Sequence, residues 1–329
     1  MTLNTRQPTG AVPYPLVLLE GEEFAGKSWM LAELSASDKV GRTFWLDLAE
    51  GAGDEYGSID GARYELIEHD GRWSTILGQV AAARDEAQRA ADAGEKPVVL
   101  GIDTVTAEWD IHKAYVDMRA RRRDLKSGKL VDNPDAEVVI GSDLWTIAND
   151  RHRELMQILK TFPGIAVMTA QGTEVAVNDA SGNPTGEKKW RVDAQKKVGF
   201  DATVWVRMKR SEPPTIIGAR SRHIHVRPGS DDPIVIPDLT LEALVFDILK
   251  CEPAKAHVRD LPSQLDIADM AAIASVATTR ELVNEAWELA QDIEVLDCVT
   301  DSGETIRTIL QTQASVITAA EIEAAKVGA

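Results

Sequence analysis

Residues Gly21-Glu22-Glu23-Phe24-Ala25-Gly26-Lys27-Ser28 spell the pattern G-x-x-x-x-G-K-S in full. An apolar run, Tyr14-Pro15-Leu16-Val17-Leu18-Leu19, precedes it, and Trp29-Met30-Leu31-Ala32-Glu33-Leu34 follows with a helical pattern. No other feature constrains the fold as much, because the pattern works only where a strand delivers the loop to a helix N-terminus. There, backbone N–H groups and the helix dipole gather negative charge. The stretch Gly21 to Trp29 is therefore expected to cradle phosphates, with Lys27 reaching the β- and γ-phosphates of ATP and Ser28 holding Mg²⁺.

The 329 residues suffice for one large domain and a smaller one. An apolar content of 44% and a charged content of 27% fit a soluble globular chain. No apolar run approaches the roughly 20 residues of a membrane span. The first eight residues lack the apolar core of a signal peptide. Cys251 and Cys298 have neither metal nor disulfide spacing. The expectation is a cytoplasmic protein with no membrane partner. A net charge of −17 argues against a strongly basic nucleic-acid binder. Residues 251–329, however, hold fourteen acidic and five basic residues, and so nine of the seventeen excess charges. A local basic surface on residues 1–250 remains open.

Strand-like and helix-like runs alternate over the first 250 residues, which predicts an α/β fold. Strands are expected at 43–47, 63–67, 97–103, 164–170, 202–208, 215–217 and 223–226. Helices are expected from a Ser74 cap to about Ala93, at about 106–123 and 143–161, and at 241–249. The organisation read from this is a tail over 1–11, a nucleotide-binding domain over 12–250 and an acidic helical region over 251–329. In that last region Leu282, Val283, Ala286, Leu289, Ala290 and Ile293 fall on one helical face.

A phosphate loop needs a carboxylate to order magnesium, usually at the end of an apolar strand beside the loop strand. Asp103, closing Val98-Val99-Leu100-Gly101-Ile102, fits. Glu50, just past the second strand, is the candidate base for the attacking water, with Asp47, Asp54 and Glu55 as competitors. Gln171 ends the strand after Asp103's, where an amide could sense the γ-phosphate and move the chain beyond it. The segment beyond it, 172–197, is long and polar and is read as a functional loop. Its Lys188, Lys189, Trp190, Arg191, Lys196 and Lys197 suit phosphate contact and base stacking on single-stranded DNA. The alternative is a solvated hairpin whose Trp190 packs on the body. The cluster Arg119 to Lys126 is read as a helix C-terminus, a second nucleic-acid contact or a kinase-like lid. Arg220 and Arg222, at i and i+2 before the 223–226 strand, would project to one side and could reach a neighbouring subunit's nucleotide. The alternative is an exposed basic edge. His223 and His225 are weak metal candidates.

These motifs in this order resemble the RecA-like P-loop ATPase core over residues 12–250. Within it they are similar to the bacteriophage branch that includes the Sak-four type of single-strand-annealing ATPase. Asp103-Thr104-Val105-Thr106 looks like that family's Walker B strand end, Met168-Thr169-Ala170-Gln171 like its sensor strand, and Arg220-Ser221-Arg222 like its paired cations. Asp47-Leu48-Ala49-Glu50 is one residue longer than the family's Asp-x-Glu. The resemblance implies a mostly parallel sheet flanked by helices and a homo-oligomeric ring or filament with ATP at its interfaces. It also implies DNA-stimulated hydrolysis in phage recombination or replication, in the host cytoplasm. Two other readings stand beside it. One is a P-loop kinase or small-molecule NTPase. The other is a nucleotide-gated protein that docks a replication or recombination partner on 251–329.

Overall fold

The computed structural model describes residues 5, 7–49, 51–130, 136–179, 183–224, 226, 232–258, 267–292, 295–298, 300 and 303–327. The chain forms two compact units, Met1–Asp260 and Leu261–Ala329.

The first unit is built on strands β1 (Leu16–Gly21), β2 (Thr43–Asp47), β3 (Tyr64–Leu66), β4 (Val99–Asp103), β5 (Ile165–Asn178), β6 (Pro184–Asp193), β7 (Val204–Lys209), β8 (Glu212–Ala219) and β9 (Ile234–Val235). Among the described residues these nine form one sheet in the order β3-β2-β4-β5-β1-β7-β8-β9, with β6 pairing β5. The six strands from β3 to β7 in that order are parallel. β6, β8 and β9 pair antiparallel at the periphery. The helices are α1 (Lys27–Ala36), α2 (Gly53–Tyr56), α3 (Trp73–Asp92), α4 (Val105–Lys126), α5 (Ser142–Lys160), α6 (Val198–Asp201) and a π-helical turn (Ala243–Ile248). This is the expected α/β architecture with a mostly parallel sheet.

Period-two alternation puts the sheet at the centre of two cores. Leu16 and Leu18 of β1, Leu100 and Ile102 of β4, and Ala166 and Met168 of β5 pack with Ile76, Val80 and Leu155 of α3 and α5. Val17, Leu19, Trp45, Val99 and Val167 face the other way, against Leu31, Leu34, Leu244 and Val245. Helices on both faces explain why the central strands read as unbroken apolar runs.

Several elements depart from the sequence expectation. The Asp103 strand does not lie beside the β1 strand; β5 stands between them. Helix α3 begins at Trp73, with Arg72 at its N-cap, so Ser74 lies inside it. Trp73 is buried against the core, and that packing starts the helix ahead of the better cap. The loop expected over 172–197 is largely a hairpin: β5 continues to Asn178 and pairs with β6. Thr173, Val175 and Val177 supply β-branched alternation, and polar side chains on both faces let water solvate a two-stranded ribbon. The strand expected at 223–226 is only a bridge between Ser221 and Ile224, and His225 lies outside the described residues.

The second unit holds α7 (Ile267–Val276), α8 (Arg280–Asp292) and α9 (Ile306–Val327) around Met270, Val283, Ala286, Ala290, Ile306 and Leu310. Leu282, expected on the apolar face, is 44% exposed, and Ile293 lies outside the described residues. No helix among the described residues is long and apolar enough to cross a membrane.

Candidate nucleotide site

Parallel strands gather their carboxyl ends at one sheet edge, where α/β folds bind ligands. Asp47 of β2 stands opposite Asp103 of β4, and Gly21 of β1 stands opposite Gln171 of β5. Four of the singled-out positions thus converge through strand register alone.

The loop from Glu22 to Gly26 turns tightly through Phe24, at φ 55°, and Gly26, at φ 89°. Gly26 is also the N-cap of α1 and has no side chain to cap it, so the first-turn N–H groups face the loop's concavity. Gly21 is required by contact: a Cβ there would stand 1.9 Å from the Met208 carbonyl oxygen. Lys27 is buried, and its ammonium donates to the carbonyls of Gly21 at 3.3 Å and Glu22 at 2.8 Å. A cation held over a ring of backbone donors fits a polyphosphate. Ser28 is buried beside it in the first turn of α1. Trp29 turns its ring edge-on to Tyr56, so what it offers a phosphate is a backbone N–H. Ala25 is half-buried, whereas Glu23 and Phe24 face solvent.

Asp103 is fully buried and accepts a hydrogen bond from the Thr169 hydroxyl of β5. The next residues tie the neighbouring elements together. Thr104 caps α4 by accepting from Ala107 N at 3.0 Å, and Thr106 Oγ1 accepts from Gln171 N at 2.9 Å. The Gln171 backbone is thereby held while its side chain is exposed at the sheet edge. Asp103 and Ser28 carry oxygen donors of the kind that Mg²⁺ takes. Among the described residues no group of three or more His, Cys, Asp or Glu could hold a metal by itself.

Glu50 lies outside the described residues. Its competitor Asp47 closes the loop after β2, since its carboxylate accepts from the N–H groups of Ala49, Gly51 and Gly53 at 3.2 to 3.3 Å. Asp54 and Glu55 form the first turn of α2.

The β5–β6 hairpin rises from the same edge. Lys188, Lys189, Arg191, Lys196 and Lys197 are exposed. Trp190 is half-buried, and its indole N–H donates to Glu20 Oε2 at 2.6 Å, as the packed-hairpin alternative had it. One side of the hairpin opens on a groove of about 710 Å³, lined by Trp190, Trp205 and Phe200 with Lys189, Arg191 and Lys196.

The arginines fall into two groups. In the α4 cluster Arg121 pairs with Asp117 at 2.9 Å, Arg123 pairs with Asp143 at 2.7 Å, and Arg119 donates to the Tyr115 hydroxyl. Arg220 and Arg222 are exposed and, among the described residues, have no carboxylate partner. Arg220 precedes the Ser221–Ile224 turn and Arg222 lies within it, so they do not sit at i and i+2 of a strand.

Behind the site, Glu108 of α4 is buried between two histidines: His152 Nδ1 at 3.0 Å, and His112 Nε2 at 2.8 Å but out of line for a hydrogen bond. Burial pushes its carboxyl up, yet the two imidazoles together hold it below its ordinary range. Sequence reasoning gave no role to Glu20, and it quoted Thr106 and Thr169 only as members of the Walker B-like and sensor-like runs. The signal for Glu20 was an acid next to the end of an otherwise apolar strand.

No protein-family model and no curated protein matches the chain. Among solved structures it is similar to the assembled ATPase EscN from the type III secretion system of enteropathogenic E. coli. That match has 16% identity and a TM-score of 0.34 over 60% of this chain, which spans 43% of EscN's length. It is also similar to a prototypical ATPase from the type III secretion system of pathogenic bacteria. There the identity is 14% and the TM-score 0.35, over 92% of this chain and 81% of that one. Similarity at this level says nothing of activity; the chemistry is carried by the residues at the sheet edge.

Proposed function

We propose that the chain binds ATP with Mg²⁺, hydrolyses it, and uses the cycle to act on single-stranded DNA. The observation that carries the nucleotide part is the convergence of the Gly21–Ser28 loop, Asp103 and Gln171 at one edge of a parallel sheet. Bound Mg²⁺ supplies charge neutralisation at the β- and γ-phosphates. Ser28 and Asp103 would hold it, with Thr169 fixing the Asp103 carboxylate. Lys27 leaves the carbonyls of Gly21 and Glu22 for the phosphate oxygens. Gln171, its backbone anchored on Thr106, presents its amide to the γ-phosphate side. Glu50 is the proposed base, orienting the attacking water.

The DNA part is supported by the exposed cations of the hairpin and by the aromatic groove at its base, which together suit a phosphate track with stacked bases. The resemblance to phage recombination ATPases supports the same substrate and a homo-oligomer. In such an assembly the exposed Arg220 and Arg222 reach the nucleotide of a neighbouring copy. The ion-paired state of Arg121 and Arg123 does not favour a mobile kinase lid.

The test is steady-state ATP hydrolysis without DNA, with single-stranded DNA and with duplex, at low salt. Lys27→Ala should lower turnover by about a hundredfold or more, the scale of losing a phosphate-stabilising group. Single-stranded DNA should stimulate the wild type, and added salt should erode that stimulation. Turnover unchanged in Lys27→Ala would remove the nucleotide reading. Turnover indifferent to DNA would remove the DNA reading alone.

A further inference from the structure

Glu20 is the residue immediately before the phosphate loop, and it has no exposed surface. A carboxylate withdrawn from water is costly unless it is paired and hydrogen-bonded. Its two oxygens are taken by two different elements. Oε1 accepts from Arg207 Nε of β7 at 2.7 Å, and Oε2 accepts from Trp190 Nε1 of β6 at 2.6 Å. The Arg207 guanidinium in turn lies 4.7 Å from the centre of the Trp190 ring. Gly172 of β5 makes room for the contact. A Cβ there would stand 2.5 Å from Glu20 Oε2 and 2.7 Å from Trp190 Cζ2.

The loop entrance is fastened to the same strand. Glu22 N donates to Met208 O at 3.1 Å, and the Glu22 carboxylate accepts from Arg210 N at 3.1 Å. Lys27 holds the carbonyls of Gly21 and Glu22 from the loop side. Residues 20–22 are thus gripped by Lys27 on one side and by Trp190, Arg207 and Arg210 on the other. A change in the Lys27 grip acts on the backbone that carries Glu20.

We infer that Glu20 is a positioning residue that couples occupancy of the phosphate loop to the placement of the β5–β6 hairpin, through Trp190 and Arg207. The inference rests on the nucleotide reading above. It adds a second connection beside Gln171: Gln171 acts along β5, whereas Glu20 acts across the sheet on β6.

The hairpin carries its own reporter, because Lys188, Lys189 and Arg191 are exposed trypsin sites. Limited trypsin digestion of the full chain, with and without Mg²⁺ and a non-hydrolysable ATP analogue, reads hairpin placement without any turnover. Binding of a fluorescent ATP analogue is measured on the same samples. In the wild type the analogue should change the rate of hairpin cleavage by about fivefold or more, the lower end of typical coupling between sites. Gly172→Ala, which wedges Glu20 from Trp190 by the far ends of two side chains, should bind the analogue and cleave at one rate with or without it. Glu20→Gln keeps an oxygen for the indole but loses the charge facing Arg207, and should show a reduced response. Because Gly172→Ala removes no charged group and leaves Glu20 Oε1 with Arg207, it keeps the test decisive if Glu20→Gln folds poorly. A full nucleotide response in Gly172→Ala overturns the coupling. So does a wild type that binds the analogue with no change at the hairpin, and in that case the nucleotide reading survives. A wild type that binds no nucleotide overturns both.

Discussion

At the scale of single residues, two positions separate chemistry from architecture. Asp103→Asn keeps the shape of a buried side chain and an oxygen for the Thr169 hydroxyl, so the fold should persist. Hydrolysis should fall by about a hundredfold or more, because the carboxylate proposed to hold Mg²⁺ against the developing phosphate charge is gone. Circular dichroism beside a turnover assay checks both halves. Gly21→Ala should do the opposite. Its Cβ meets a backbone carbonyl at 1.9 Å, which cannot swing away as a flexible side chain could. A cost of about 1–3 kcal/mol in chemical denaturation is expected, with weaker nucleotide binding. The phosphate loop and Asp103 were legible in the sequence because their neighbours are local: a strand before, a helix after. Glu20 was not legible as a partner of Trp190, since the two are 170 residues apart and only the β1–β5–β6 adjacency brings them together. Asp47 was open to a catalytic reading for a local reason. Its three backbone N–H partners become visible only once the loop closes over it.

At the scale of elements, one polar network stitches an edge of the sheet to a helix. Arg42, just before β2, pairs with Glu65 of β3 and with Glu86 of α3, and Arg89 joins Glu86 to Glu95. Arg89 and Arg42 together hold the Glu86 carboxyl down from 4.5 to about 2. A carboxyl depressed in the folded state stabilises above its unfolded value, and that stabilisation is lost as pH falls through the folded value. Wild type should therefore exceed Glu86→Gln in melting temperature near neutral pH. The gap should close as the pH is taken from about 4.5 toward about 2. A gap that stays constant over that window would refute the assignment. Among the elements, the central parallel strands were readable because burial on both faces leaves them largely apolar up to their carboxyl ends. The hairpin was read only as the alternative to a loop, because a solvated ribbon has the composition of a loop and differs from one only in its alternation. The 223–226 segment misled for the converse reason: His223-Ile224-His225-Val226 alternates, yet Ile224 contributes only a single bridge to Ser221.

At the scale of the molecule, the chain is strongly acidic overall, yet exposed Lys188, Lys189, Arg191, Lys196 and Lys197 cluster on and just beyond the ribbon at the edge where the phosphate loop opens. On the proposed reading, a polyanion would be drawn to those cations. Charge reversal of Lys188 and Lys189 together should weaken binding of single-stranded DNA and flatten its salt dependence by about two contacts. Fluorescence anisotropy at several salt concentrations measures both. A slope unchanged by the reversal would move the nucleic-acid surface elsewhere. The length of β5 has a mechanical consequence. Past Gln171 it runs seven more residues, Gly172 to Asn178, roughly 23 Å of strand at about 3.3 Å per residue. Pivoting at Gly172 as one rigid piece, that stretch would act as a lever. A tilt of about 5° there, too small to unpair the strand, moves the tip by about 2 Å at this rise per residue. Sub-ångström adjustments around a phosphate would reach the far end as displacements comparable to a bond length or more.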